Sequence, residues 1–281
     1  MTRLSGTSSV TWFAERKIVF TTKHRRCTKV ICVISFMFLR VYSGEFFMSI
    51  AENIARVRER LERAARRAGR KPEDISLMAV TKTFSPGPIH EAYAAGLRLF
   101  GENRVQEFAG KAEALRDLDD AQWHLIGHLQ TNKAPKAAEL FDAVDSLDSF
   151  RLAQKLNAAA EKMGKIVSVL IEINIGGEAA KTGIAPNSSE FHEILAAAPK
   201  WDYLRIAGLM TVPPFTEDPE GARPYFRRLR ELRDRIAARQ LPGISINTLS
   251  MGMSHDFEIA IEEGSTCVRV GSAIFGERKT A

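Results

Sequence analysis

Ile-Ser-Leu-Met-Ala-Val-Thr-Lys-Thr, residues 75–83, opens the series of short apolar runs that decides the fold of this chain. Stretches with helical periodicity separate these runs, for example Phe150–Met163 and Tyr225–Arg239. Eight runs that alternate with helices or loops predict one α/β domain, a (β/α)8 barrel of the TIM type. The predicted strands are Ser76–Thr81, Leu97–Phe100, Gln122–Ile126, Ala143–Ser146, Val167–Ile173, Arg205–Met210, Ser245–Leu249 and Cys267–Val270.

An open, doubly wound sheet is the alternative architecture for such an alternation. No glycine-rich dinucleotide fingerprint follows the first run, and the number of runs reaches the eight that a closed barrel requires. The closed barrel is therefore the preferred prediction.

The predicted domain begins at Met48. Ser49 and Glu52 have the spacing of a capping box, and Gly69 marks the end of the helix that follows. We expect this helix to cover the outer wall or the bottom of the barrel, and the barrel domain to comprise residues 48–281. The apolar stripe of the helix contains Ile50, Ile54, Val57, Leu61 and Ala68.

Residues 1–47 differ from this domain in charge and in pattern. They carry eight of the 40 Lys and Arg residues but two of the 34 Asp and Glu residues, which accounts for the whole net charge of +6. The domain itself is neutral, so its charge gives no reason to expect a nucleic-acid partner. The apolar run Val30–Leu39 is about half the length that spans a bilayer. Basic residues precede it, so a secretory signal is a possible interpretation. We expect instead that residues 1–47 are a disordered extension, or that translation starts at Met48 and the given start is too early.

The number of cysteines bears on the cellular compartment of the protein. Cys27, Cys32 and Cys267 cannot form an even disulfide framework, which fits a reducing environment and predicts a cytoplasmic location. We expect Cys267 to be a buried strand residue. No spacing of His, Cys and Asp predicts a metal site.

Lys82 directly follows the first predicted strand. Chemistry in a (β/α)8 barrel lies at the carboxyl ends of the strands, and a lysine amine placed there is a candidate nucleophile for a Schiff base. On the lysine alone, a solvated residue that closes the strand is the commoner interpretation.

The ends of the last two strands suit a phosphate group. Residues 249–254, Leu-Ser-Met-Gly-Met-Ser, precede a helix predicted near His255, and Gly271 follows the eighth strand. Small residues let backbone N–H groups approach an anion, and a helix N-terminus favours it. Ser250, Ser254 and Ser272 add hydroxyl groups. The alternative is that Ser254 is only the N-cap of that helix and that the glycines only form turns.

Arg269 has the same strand parity as Gly271, which predicts a side chain that points inward at the barrel mouth. The alternative is an ion pair with a carboxylate such as Glu102. Trp123, in the third predicted strand, is expected to pack in the core rather than to contact a ligand.

Six motifs occur in order along the domain: Ala-Val-Thr-Lys-Thr (79–83), Gly-Glu-Asn-Arg-Val-Gln-Glu (101–107), Trp-His-Leu-Ile-Gly-His-Leu-Gln-Thr-Asn-Lys (123–133), Gly-Leu-Met-Thr-Val-Pro-Pro (208–214), Leu-Ser-Met-Gly-Met-Ser (249–254) and Arg-Val-Gly-Ser-Ala-Ile-Phe-Gly (269–276). Together they resemble the pyridoxal phosphate homeostasis protein family, also called the proline synthase co-transcribed homologues. The resemblance covers residues 48–276, and residues 1–47 match nothing in that family.

The resemblance implies a fold like the N-terminal barrel of alanine racemase, with pyridoxal 5′-phosphate (PLP) as the cofactor. Lys82 would hold PLP as a Schiff base, and Arg269 would face the pyridine nitrogen. Asn103 would lie close to the ring. The phosphate would be received by Ser250, Gly271 and Ser272, with Met253 and Ser254 nearby. Position 272 is serine where the family commonly has threonine, which preserves the hydroxyl group.

The resemblance also implies a function in intracellular PLP homeostasis. A guanidinium beside the ring nitrogen keeps that nitrogen unprotonated and weakens carbanion chemistry, so we expect a non-catalytic carrier that buffers or delivers PLP. A PLP-dependent amino-acid racemase and a Schiff-base aldolase are the alternatives. The expected partners are PLP and, as recipients, apo forms of PLP-dependent enzymes, with neither nucleic acid nor membrane. We expect a monomer or a weak dimer.

Overall fold

Eight parallel strands close into a barrel in the order in which they occur along the chain. The computed structural model describes residues 48–178 and 182–276. Closure is made by the first and last strands, in which Ser76 is the register partner of Cys267 and Ala79 that of Val270. The strands are β1 (Ser76–Val80), β2 (Leu99–Glu102), β3 (Gln122–Leu125), β4 (Ala143–Leu147), β5 (Val167–Glu172), β6 (Leu204–Met210), β7 (Ile244–Ser250) and β8 (Cys267–Val270). The predicted (β/α)8 barrel is confirmed, and the open sheet is excluded.

In residues 48–178 and 182–276, one α-helix occupies each connection between successive strands, one precedes β1 and one follows β8. The predicted helix at residues 150–163 is confirmed, and the one predicted at residues 225–239 begins two residues earlier. The helices are α1 (Ile50–Arg67), α2 (Pro86–Ala94), α3 (Val105–Ala109), α4 (Ala134–Leu140), α5 (Phe150–Met163), α6 (Ser189–Ala197), α7 (Arg223–Ala237), α8 (Phe257–Glu262) and α9 (Ser272–Phe275).

Helix α1 covers the outer wall of the barrel beside α8 and α9. Its N-terminus carries the predicted capping box: the Ser49 hydroxyl accepts a hydrogen bond from the Glu52 N–H at 3.2 Å, and the Glu52 carboxylate accepts one from the Ser49 N–H at 2.7 Å. The Asn53 side-chain amide donates to the Ile274 carbonyl at 2.9 Å, which ties the helix to α9. Its buried residues are Ile54, Val57, Leu61, Ala64 and Ala65.

Strand β2 lies two residues later than the sequence pattern predicts. The Leu97 N–H donates to the Ala92 carbonyl at 3.1 Å and the Gly96 N–H donates to Tyr93 at 2.9 Å, so Leu97 belongs to the turn that ends α2. At its other end the strand extends through Glu102, which pairs in register with Leu125 of β3. The prediction from apolar character alone therefore placed both ends of the strand two residues too early.

The layer between the sheet and its helices is apolar, and aromatic rings fill it around β2 and β3. Phe100 and Trp123 stack with ring centroids 4.9 Å apart, and Phe108 lies 4.7 Å from Trp123 and 4.9 Å from Phe141. The packing role predicted for Trp123 is confirmed. Such pairs add specific geometry to the area that they bury.

The expectation for residues 1–47, including the run Val30–Leu39, falls outside the described residues. Within residues 48–178 and 182–276, no helix combines the length and the apolar character needed to cross a bilayer. Cys267 is a free, buried residue of β8 as predicted, and burial raises the pKa of its thiol to about 12.

The close approach of β6 and β7 generates a test of the packing. A Cβ atom on Gly208 would stand 2.0 Å from the Thr248 carbonyl oxygen, so Gly208→Ala must force the two strands apart. We expect it to lower the free energy of unfolding by about 1–3 kcal/mol, measured by urea denaturation. Gly87→Ala is the matched control, because a Cβ at Gly87, in the first turn of α2, meets no atom within 4 Å. Equal denaturation midpoints for the two variants would contradict the strand geometry.

Candidate functional site

A cavity of about 290 Å³ opens at the carboxyl ends of β1 and β8. The loops that follow β6 and β7 complete its wall. Six of the eight residues predicted for a cofactor site line it: Lys82, Met253, Ser254, Arg269, Gly271 and Ser272. The remaining lining residues are Val80, Phe84, Phe215, His255 and Gly276.

Lys82 enters the cavity from a turn rather than from the strand itself. Strand β1 ends at Val80, one residue earlier than predicted, and Lys82 is half-buried in the turn that follows. The next residue, Thr83, has a φ of +69°. The left-handed conformation is costly for a β-branched residue, about 1–3 kcal/mol. The candidate lysine is therefore followed directly by strained backbone.

Ser254 joins the two loops that were predicted to receive a phosphate. Its hydroxyl oxygen accepts hydrogen bonds from the N–H groups of Gly271 and Ala273, both at 3.3 Å. Helix α8 begins at Phe257 rather than near His255, so Ser254 is not the N-cap of that helix. The two N–H groups lie at the start of α9 and converge on one oxygen atom, which is the arrangement that binds an anion.

Two glycines shape this part of the wall for different reasons. Gly252 has a φ of +95°, and a Cβ there would stand 2.5 Å from the Cβ of Ala260, so the loop after β7 requires glycine. Gly271 has a φ of −115°, which any residue adopts, and a Cβ would meet Val80 only at 3.5 Å. A side chain at Gly271 would instead occupy room beside Val80, itself a lining residue of the cavity. Glycine at this position therefore keeps the cradle open to a ligand.

Arg269 lies at the base of the cavity and is only 3% exposed. Its guanidinium donates to the Ser250 hydroxyl at 2.6 Å and to the Thr211 carbonyl at 2.8 Å. The inward orientation predicted from strand parity is confirmed. The alternative pairing with Glu102 is wrong, because the Glu102 carboxylate is bound by Lys111 at 2.8 Å.

The electrostatic surroundings of Arg269 are mixed. Burial lowers the pKa of its guanidinium, and Cys267 and the carboxylates of Asp145, Asp256 and Glu172 oppose that shift. A guanidinium stays charged even after a large downward shift. The base of the cavity therefore carries a fixed positive charge with two directed hydrogen bonds.

Ser250 and Asn103 are the two predicted residues that do not line this cavity. Ser250 is fully buried and its hydroxyl accepts from Arg269, which places it behind the guanidinium. Asn103 follows β2 and is half-buried, and a Cβ on Gly127 would stand 2.4 Å from its carbonyl oxygen. Asn103 thus packs against the loop after β3 at the barrel mouth.

The residues after β6 were missed as site residues. Thr211 is buried and supplies the carbonyl that holds Arg269, and Phe215 lines the cavity although it is 80% exposed. The Phe215 ring lies 5.5 Å from the His255 ring, and His255 Nε2 is 3.1 Å from the Thr216 carbonyl oxygen. Thr211 and Phe215 follow the carboxyl end of β6, and the rule that barrel sites lie at these strand ends could have identified both residues.

This arrangement combines a lysine amine, converging N–H and hydroxyl groups, and a buried guanidinium around one open cavity. Such a set fits a phosphate ester that carries an aldehyde and a ring nitrogen able to accept a hydrogen bond. In the part of the chain that the structure describes, no group of three or more His, Cys, Asp or Glu side chains is arranged to hold a metal ion.

Three solved or curated relatives place the chain in its family. The pyridoxal phosphate homeostasis protein of Aquifex aeolicus (strain VF5) is 47% identical over 233 residues, which is 83% of this chain and 100% of the relative. The protein of the same name from Escherichia coli (strain K12) is 42% identical over 231 residues, 82% and 97% of the two chains. PipY of Synechococcus elongatus PCC7942, solved with PLP bound, is 35% identical with a TM-score of 0.71, over 81% of this chain and all of PipY.

Alanine racemase of Clostridium difficile 630 is 17% identical with a TM-score of 0.61 and shares the fold alone, over 83% of this chain and 56% of the enzyme. The family described as alanine racemase, N-terminal domain, matches residues 52–279. The resemblance inferred from the six motifs is thereby confirmed. The chain belongs to the pyridoxal phosphate homeostasis protein family, whose fold is the alanine racemase N-terminal barrel.

Proposed function

We propose that this protein binds PLP in the cavity at the ends of β1 and β8 and acts in PLP homeostasis, storing or delivering the cofactor. The observation that carries the proposal is the convergence on one cavity of Lys82, the Ser254–Gly271–Ala273 cluster and the buried Arg269. The names of the curated relatives and the PLP-bound structure of PipY support it.

Lys82 would attach the cofactor through its amine, which is the nucleophile that an aldehyde requires. Bound PLP supplies a conjugated ring that can accept electrons from an attached amino acid. The N–H groups of Gly271 and Ala273 would donate to the phosphate, and the hydroxyls of Ser254 and Ser272 would add donors. Ser250 would act on the site through Arg269, Met253 would lie near the phosphate beside Ser254, and Asn103 would lie close to the ring.

Arg269 favours storage over catalysis. Its guanidinium has donors and no acceptor, so a ring nitrogen that faces it must accept and stay unprotonated. A ring whose nitrogen is unprotonated withdraws electrons weakly, and removal of the α-proton from a bound amino acid is then slow. The hydrogen bonds to Ser250 and Thr211 leave the guanidinium little freedom to turn away.

A racemase would also need a second acid or base beside the cavity. Among the described residues, no tyrosine lines the cavity. Tyr93 lies in α2, where its hydroxyl donates to Asp120, and Tyr225 lies in α7. These positions oppose the racemase alternative.

The wider role is part of the same proposal. Apo forms of PLP-dependent enzymes in the cytoplasm would be the recipients, and the barrel domain of residues 48–281 would act as a monomer or weak dimer. The half-buried position of Lys82 and the open side of the cavity support exchange of the cofactor with a partner.

Lys82→Ala should abolish covalent attachment of PLP, because no second lysine lines the cavity among the residues that the structure describes. After incubation with PLP and removal of unbound ligand, the wild type should show an absorbance band at the violet edge of the visible spectrum, and borohydride reduction should fix the cofactor on the Lys82 peptide. Lys200→Ala, at an exposed position outside the cavity, is the control. A wild-type protein that takes up no PLP would refute the proposed function.

Ser254→Ala should weaken PLP binding by about tenfold or more, because a hydrogen bond to a charged phosphate is lost. The affinity for pyridoxal, which lacks the phosphate, should stay unchanged. Equilibrium dialysis with both ligands makes the comparison. An equal loss for the two ligands would show that Ser254 does not act on the phosphate.

Arg269→Glu should allow a protonated ring nitrogen and raise the exchange of the α-proton of L-alanine in deuterated water above the wild-type rate. Arg269→Lys keeps a positive charge and should stay at the wild-type rate. Nuclear magnetic resonance follows the exchange, and circular dichroism checks the fold of each variant. Identical rates in all three proteins would contradict the role given to Arg269.

A further inference from the structure

Lys111 is a buried cation outside the cavity. It lies between α3 and the short 3-10 helix Ala112–Leu115, and its side chain is 8% exposed. Its ammonium contacts four oxygen atoms: the carbonyls of Thr81 at 3.1 Å and Phe84 at 3.3 Å, and the carboxylates of Glu102 at 2.8 Å and Glu107 at 3.4 Å. None of these bonds is accounted for by the roles given to the cavity residues.

Two of these acceptors bracket the residue that enters the cavity. The Thr81 and Phe84 carbonyls stand on either side of Lys82 and Thr83 in the turn, and the Phe84 N–H donates back to Thr81 at 3.1 Å. Both carbonyls therefore point at the same ammonium. Because Thr83 holds a φ of +69°, the turn stays in this shape only where surrounding contacts offset its strain.

Glu107 supplies a further contact to the strained residue itself. Its carboxylate accepts a hydrogen bond from the Thr83 N–H and lies beside the Lys111 ammonium. A negatively charged acceptor makes this hydrogen bond stronger than a neutral one. Glu107 thus binds an N–H group of the turn, and Lys111 binds two of its carbonyl groups.

Glu102 explains why the cation is retained in the interior. Its carboxylate is fully buried, accepts from the Thr81 hydroxyl and from Lys111, and has one oxygen, Oε2, that finds no partner among the described residues. Burial raises the pKa of Glu102, and the hydrogen bonds from Lys111 and Thr81 oppose that shift. Removing the ammonium alone would leave a buried carboxylate poorly compensated.

We propose that Lys111 is a positioning residue for Lys82: its ammonium holds the Thr81–Phe84 turn in the left-handed shape that directs Lys82 into the cavity. The part that concerns PLP rests on the proposed function. The part that concerns the turn holds for the protein without PLP and can be tested separately.

The experiment measures amide hydrogen exchange of the Lys82–Phe84 segment in the PLP-free full chain. Lys111→Met should speed this exchange by about tenfold or more, since bonds from a charged donor are lost. Lys165→Met is the matched control, because Lys165 also donates to two backbone carbonyls, those of Ala138 at 3.3 Å and Phe141 at 2.6 Å, but away from the cavity. It should leave the exchange of the segment unchanged.

Two further variants separate positioning from folding. The double variant Glu102→Gln with Lys111→Met removes both buried charges, so it leaves no uncompensated carboxylate in the interior and guards against unfolding of the single variant. It should show the same fast exchange. Thr83→Gly relieves the left-handed strain, because glycine adopts this conformation freely. We expect both Lys111 variants to capture PLP more slowly than the wild type, because Lys82 is no longer held towards the cavity. Thr83→Gly added to the double variant should recover the capture rate at least in part, as a coupled pair of sites requires.

The outcomes are distinguishable. Fast exchange in the Lys111 variants with slower PLP capture and partial recovery by Thr83→Gly supports the proposal. Wild-type exchange of the segment in the double variant would overturn it, as would equal effects of the Lys111 and Lys165 substitutions. Failure of the wild type to capture PLP would refute the proposed function, and the exchange measurements would still decide whether Lys111 holds the turn.

Discussion

The pairing of β1 with β8 is the constraint on which the site depends. It places Met78 opposite Arg269 and Ala79 opposite Val270, although nearly 200 residues separate the two strands in the chain. Parallel strands end at the same face, so the turn with Lys82 and the loop with Gly271 meet as soon as the barrel closes. The cavity is therefore a consequence of closure, and the hydrogen-bonded sheet fixes the relative positions of its walls.

Closure also determines which groups are buried with Arg269. Register places Val80 and Gly101 on the same side as Met78, and Gly101 is in turn the partner of His124 in β3. The inward side therefore contains polar groups that need partners. His124 meets Asp145 at 3.1 Å, and Arg269 meets Ser250 at 2.6 Å. These polar groups are tolerated on the inward side because they are bonded to these partners, and the bonds fix their directions.

The two loops that carry the site each contain a residue in the left-handed region of φ. Thr83 and Gly252 both have positive φ, and each is held by a carboxylate that accepts a nearby backbone N–H: Glu107 binds Thr83 N–H, and Asp256 binds Met253 N–H at 2.7 Å. At Thr83, a β-branched residue, this acceptor offsets the cost of the left-handed conformation. The shape of the site thus depends on residues that do not line it.

The sequence by itself determined the order of strands and helices and most of the cavity lining, because apolar periodicity is local and the strand-end rule then selects Lys82, Ser254 and Arg269. Local pattern misplaced β2, since a helix-ending turn reaches Leu97. Only the tertiary structure decided that Ser250 stands behind Arg269 and that Glu102 pairs with Lys111. The physical reason is that a charged side chain binds whichever oxygen the fold brings within about 3 Å, and sequence separation does not encode that distance.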